Sequence, residues 1–118
     1  MMNRDIPYLN HILDAINEIE ESIIKISRED FEVIKDKKDA CIRRLEIIGE
    51  AVKNVSEETK RRYPKVEWKK ISGTRDIILH SYFNVDLDVV WEIIKKDIPI
   101  FKKQILEIKE EIGKSLAF

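Results

Sequence analysis

The sequence predicts an all-α protein, an antiparallel bundle of four to five helices, and three observations predict it. Apolar residues, 21 Ile among them, recur at intervals of three and four along almost the whole chain. That is the spacing of one face of a helix at about 3.6 residues per turn. Three Gly and three Pro in 118 residues are too few for a turn-rich β-sandwich. At 43% apolar and 38% charged, the chain has enough apolar surface for a core, which argues against disorder. With no linker, repeat or low-complexity stretch, residues 1–118 read as a single domain.

The first helix is expected from about Ile6 to Ile26, with Ile12, Ile16, Ile19, Ile23 and Ile26 on one face. Asp5 is placed to cap it, and Pro7 is tolerated in a first turn because its missing N–H would have no helical partner there. Ser27-Arg28-Glu29-Asp30 has the form of a capping box, with Phe31 and Ile34 following. A second long helix runs from roughly Asp36 to Asn54 on the stripe Cys41, Leu45, Ile48, Val52 and Val55. Gly49 inside it costs about 1 kcal/mol against Ala, so it marks a close approach of two helices. Ser56-Glu57-Glu58 starts a short third helix that Pro64 stops.

A fourth helix, about Trp68 to Phe83, is followed by a last one that starts near Asp86 as N-cap. Its apolar positions are Leu87, Trp91, Ile94, Ile98, Phe101, Ile105, Ile108 and Ile112. Pro99 interrupts that run and removes a helical hydrogen bond, which predicts a kink or restart. Trp68 and Trp91 read as core residues, Gly73 like Gly49 as a packing position, and Cys41 as an inert buried thiol.

Charge separates along the chain although the net value is only −1. Lys60, Arg61, Arg62, Lys65, Lys69, Lys70 and Arg75 face a single acid, Glu67, between positions 60 and 75. Such a segment either binds a polyanion or is a solvated surface near a turn, and charge alone divides the two about evenly. Lys65, Lys69 and Lys70 are the RNA-binding candidates within it. A lone Cys41 cannot form an intramolecular disulfide, and no Cys/His cluster has metal-ligand spacing, so no metal or cofactor is expected. The N-terminus has no apolar stretch behind a basic start, and no apolar run is long enough to span a membrane. A cytoplasmic protein without a membrane partner is the expectation.

The chemistry is concentrated in Arg75-Asp76-Ile77-Ile78-Leu79-His80-Ser81-Tyr82. Trp68, Ile71, Arg75, Ile78 and Tyr82 share one stripe, so Arg75 stands where an apolar residue is called for. A buried guanidinium must meet an anion, a partner chain or a solvent-filled cleft, or else pair with an acid on a neighbouring helix. His80 lies five residues on, about 140° around the helix, near enough for a long Arg side chain to converge with it on one ligand. Asp76, one turn before His80, is placed to orient the ring and favour its charged form. The bland alternative is a surface His in a weak ion pair. Tyr82 is either a core Tyr or a phenol in the same cleft. Together these residues suit metal-independent cleavage of an RNA phosphodiester. Arg75 would hold the phosphate, and His80 would act as general base on the 2′-OH or as acid to the leaving oxygen.

Arg75 to Tyr82 also matches the RxxxxHxY signature of the HEPN superfamily, and the chain resembles its HepT-like toxins in particular. Arg44-Leu45-Glu46-Ile47-Ile48-Gly49-Glu50-Ala51, Trp68-Lys69-Lys70-Ile71-Ser72-Gly73 and Val90-Trp91-Glu92-Ile93-Ile94 resemble further family blocks in the expected order. The resemblance implies a helical endoribonuclease toxin that acts as a symmetric homodimer, with Arg75 and His80 of both protomers facing a shared cleft. It also implies a small MntA-like nucleotidyltransferase antitoxin that transfers AMP to Tyr82 and silences the nuclease. Bulky anionic phosphates beside Arg75 and His80 would occupy the cleft and its positive charge. The rival reading is a non-catalytic nucleotide- or RNA-binding partner of a nucleotidyltransferase, and a plain helical interaction protein ranks last. Growth arrest on expressing the chain alone separates the nuclease from both.

Overall fold

The fold, a computed structural model, describes residues 2–80 and 87–116, with only the backbone at Met2, Leu79, His80, Ser115 and Leu116. A 3₁₀ turn over Met2–Asp5 leads into α1 (Ile6–Ile23), followed by α2 (Arg28–Val33), α3 (Lys35–Asn54) and α4 (Glu57–Arg62). Then come α5 (Trp68–His80), α6 (Leu87–Glu92), a π-helical segment (Ile93–Asp97) and α7 (Ile98–Leu116). No strand occurs among the described residues. The antiparallel bundle expected from periodicity is thus built on long helices α1, α3, α5 and α7, with α2, α4 and α6 as short connectors. α3 packs against both α1 and α5, and α1 also meets α7.

Most local signals act as their chemistry dictates. Ser27 and Asp30 form the reciprocal capping box, each side chain accepting from the other's backbone N–H, at 3.1 and 3.2 Å. Ser27 needs extended backbone to do so, at φ −83° and ψ 171°. The chain must therefore leave the helix before it, so α1 ends at Ile23 and Ile26 lies beyond its end. Ser56 caps α4 by accepting from Thr59 N at 3.2 Å, and the helix stops before Pro64.

Asp5 does something other than the expected capping. Its side chain makes no cap to α1 and is almost fully buried. The carboxylate accepts from Ser56 N at 2.9 Å, from Ser56 Oγ at 2.7 Å and from the Thr59 hydroxyl. A buried carboxylate is tolerated only when its lone pairs are met this way. The contact fastens the start of the chain to the N-terminus of α4, which carries the first part of the basic segment.

The break expected at Pro99 is present. Ile98 N donates to Ile93 O, one residue further back than in an α-helix, and the π turn over Ile93–Asp97 precedes Pro99 in the first turn of α7. The widened turn absorbs the bond that proline cannot make. Asp86, expected to cap this last region, lies outside the described residues, as does the stretch of the fourth helix beyond His80.

The predicted stripes form the core: Ile12, Ile16 and Ile19 of α1, Cys41, Leu45, Ile48 and Val52 of α3, and Phe101, Ile105 and Ile108 of α7 are all buried. Trp68 meets Phe101 edge to face, with centroids 6.1 Å apart, and its Nε1 donates to Tyr63 O at 3.0 Å. Trp91 is half-buried against Phe31 at 5.1 Å. Both tryptophans are packing residues. Among the described residues, no helix is long and apolar enough to cross a membrane.

Candidate active site on α5

α5 is anchored by Trp68, Ile71, Thr74 and Ile78, all buried. Arg75 shares their side of the helix but sits at its margin against α3, and its side chain stays 38% exposed. Its Nη1 donates to Glu50 Oε2 of α3 at 2.9 Å. The acid on a neighbouring helix is therefore the arrangement found, and this charge has a partner within the chain.

Gly49 explains how α5 comes so close to α3. A Cβ placed there would lie 3.2 Å from Arg75 Cβ and 3.5 Å from Ser72 O, so hydrogen at this position admits the α5 backbone. Gly73, expected to play the same part, does not: a Cβ there would meet nothing within 4 Å.

Helical register places Asp76 beside Arg75 and one turn before His80, and its side chain is exposed. The His80 side chain and all of Tyr82 lie outside the described residues, as therefore do the expected orientation of the ring by Asp76 and the expected place of the phenol.

The basic segment divides when folded. Lys70 contacts Asp97 at 3.3 Å and Glu67 at 3.5 Å, and the Asp97 contact foremost raises its pKa. Its charge is thus already partnered, unlike those of the other two RNA-binding candidates. Lys60 lies 3.8 Å from Glu57. Arg61, Lys65 and Lys69 have no carboxylate within 4 Å among the described residues, and all three are exposed. Lys60, Lys69, Trp68 and Ser72 line part of an open groove of about 590 Å³. Ser72, which closes this lining, stands one turn before Arg75 on the same helix. Lys65 borders two further grooves with Gln104 of α7.

Away from α5, Cys41 is buried in α3, and that burial pushes its thiol up to about 11. A thiol held neutral in this way is a packing residue. No group of three or more His, Cys, Asp or Glu among the described residues is arranged to hold a metal ion. Glu50 is the one site residue that sequence reasoning missed. Its signal was its place directly after Gly49, where two helices were already expected to touch.

A family model described as ribonuclease HepT-like matches residues 12–108. Among curated proteins, the chain is 47% identical over 115 residues to a Methanocaldococcus jannaschii protein named "Gamma-glutamylcyclotransferase and putative RNase". That alignment covers 97% of this chain and 52% of the relative, so this chain spans about half of that protein. It is 46% identical to a "Putative RNase" of Caldanaerobacter subterraneus, covering 89% of this chain and 94% of the relative. With a "Probable ribonuclease HepT" of Thermococcus cleftensis the identity is 42%, over 87% of this chain and 94% of that one. No solved structure matches the chain significantly. With the Arg75-to-His80 spacing carried on one helix of an all-α bundle, and a family match over most of its length, the chain belongs to the HepT-like ribonuclease family.

Proposed function

We propose that the chain is an endoribonuclease, acting without a metal, whose α5 carries the catalytic Arg75 and His80. The observation that carries this reading is the presentation of Arg75. Its guanidinium is held at Nη1 and has no partner at Nε and Nη2 among the described residues, an edge that fits two phosphate oxygens. Arg75 would stabilise charge developing on those oxygens while His80 moves the proton of the 2′-OH or of the leaving 5′-oxygen. Lys69, in the groove that reaches Ser72, and Lys65, on the neighbouring grooves beside Gln104, would attract the RNA backbone, with Lys70 contributing less because Asp97 and Glu67 engage it.

The toxin–antitoxin role belongs to the same proposal. A MntA-like nucleotidyltransferase antitoxin would attach AMP to Tyr82, two residues beyond His80, and the added phosphates would compete for Arg75. A homodimer is supported by Ile77 and Val89, which remain 48% and 40% exposed and border a groove with Thr74 and Ile93 and the charged Lys70, Asp88, Glu92 and Asp97. The whole chain is taken as one domain, acting in the cytoplasm.

The test is cleavage of an RNA panel in EDTA by the wild type, Arg75→Ala and His80→Ala, with size-exclusion controls. Loss of cleavage in both variants with the assembly intact supports the assignment, and retained cleavage in both refutes it. No cleavage by unmodified wild-type protein would favour the non-catalytic binding partner instead. Co-expression with the nucleotidyltransferase should add mass in AMP steps that map to Tyr82.

A further inference from the structure

We propose that Glu50 is a positioning residue for the reaction, holding Arg75 so that its Nε and Nη2 edge faces the substrate phosphate. This rests on the ribonuclease reading of α5 and adds to it a residue from a different helix. Consecutive residues of α3 engage the two ends of the Arg75 side chain. Gly49 admits its base, since a Cβ there would lie only 3.2 Å from Arg75 Cβ, and Glu50 accepts from the Nη1 at its tip at 2.9 Å. A long side chain fixed at both ends has already lost most of the rotamer freedom that phosphate binding would otherwise remove.

The choice of nitrogen matters. Nη1 points back along the side chain, and its capture leaves Nε and Nη2 parallel and available, the pair that matches two phosphate oxygens. The stabilising value of the contact cannot be its main consequence. Glu50 and Arg75 are 57% and 38% exposed, and exposed ion pairs contribute little to folding. What the contact does determine is where the guanidinium points.

The experiment is a double-mutant cycle with Glu50→Ala, Glu50→Gln, Arg75→Ala and the Glu50→Ala/Arg75→Ala pair. kcat and KM are read separately on an oligoribonucleotide, affinity on its uncleavable 2′-O-methyl analogue, and folding by thermal melting. Glu50→Ala should lower kcat about tenfold with KM within about twofold, as expected when a reacting group is misplaced. Glu50→Gln, which still offers a carbonyl oxygen to Nη1, should stay within about threefold of wild type. On the residual single-turnover cleavage that Arg75→Ala leaves, Glu50→Ala should cost nothing further, because its effect passes through the missing guanidinium. An additive cycle, a Gln variant as damaged as the Ala variant, or a rise in kcat on removing Glu50 overturns the proposal. Should the wild type cleave no RNA, the ribonuclease reading fails by itself, and the same cycle in analogue affinity decides. Weakening by Glu50→Ala only when Arg75 is present upholds the positioning role, and independent or absent effects overturn it.

Discussion

Alanine at Gly49 and alanine at Gly73 should move stability in opposite directions, although both glycines lie inside long helices. Ala is favoured over Gly in a helix interior by about 1 kcal/mol, so propensity alone would make both substitutions stabilising. At Gly73 nothing opposes that gain, since a Cβ meets no atom within 4 Å. At Gly49 the new methyl would lie 3.2 Å from Arg75 Cβ and 3.5 Å from Ser72 O. Carbon atoms prefer roughly 3.5–4.0 Å, and both atoms met are fixed by the α5 backbone, so the helices must separate by a few tenths of an ångström. Such overpacking costs about 1–3 kcal/mol. The net expectation is then a gain of about 1 kcal/mol for Gly73→Ala and a loss of about 0–2 kcal/mol for Gly49→Ala. For a chain of 118 residues the unfolding entropy is about 0.25 kcal/mol/K. Gly73→Ala should therefore raise Tm by about 4 °C, and Gly49→Ala should lower it by up to about 8 °C. Paired thermal melts at one protein concentration check this, with RNA cleavage measured alongside, because displacing α5 also moves Arg75. A Gly49→Ala variant as stabilised as Gly73→Ala would falsify the close-approach argument.

Other substitutions test separate parts of the account. Asp5→Ala should destabilise the fold by about 2–3 kcal/mol in urea titration, because Ser56 N, Ser56 Oγ and the Thr59 hydroxyl lose their buried acceptor. Asp5→Asn, which keeps one oxygen, should recover part of that loss. Cys41 should resist a thiol reagent at pH 8 until the protein unfolds, and prompt labelling of the native state would contradict its burial. Because burial raises the Cys41 pKa from 9.0 to about 11, the folded state holds the thiol proton more tightly than the unfolded state. Its stabilising effect is therefore complete below pH 9 and declines as pH rises toward 11, which alkaline melting curves can follow. Lys69→Ala should weaken RNA binding more than Lys70→Ala, since only Lys70 is engaged by carboxylates. Equal losses would show that the Asp97 contact does not withdraw Lys70 from RNA.

Helix content, the residues of each buried stripe, the caps at Ser27 and Ser56 and the break at Pro99 were all determined by the sequence itself. Each follows from interactions within a few residues: apolar spacing, a hydroxyl near a free N–H, a missing backbone donor. The spacing of Arg75 and His80 on one helix was legible for the same reason. The partners of those groups were not legible. Asp5 reads locally as a cap, yet its carboxylate meets residues more than fifty positions away. Gly49 and Gly73 are indistinguishable by propensity and differ only in what another helix brings to them. Glu50 reads as an ordinary exposed acid of α3 until α5 is packed beside it and Arg75 comes within 2.9 Å. Lys65, Lys69 and Lys70 form one cluster in sequence, and the arrival of Asp97, 27 positions on, joins Glu67 in separating Lys70 from the others. Tertiary packing alone decides which surface charges neutralise one another, because Coulomb energy depends on distance in space and not along the chain.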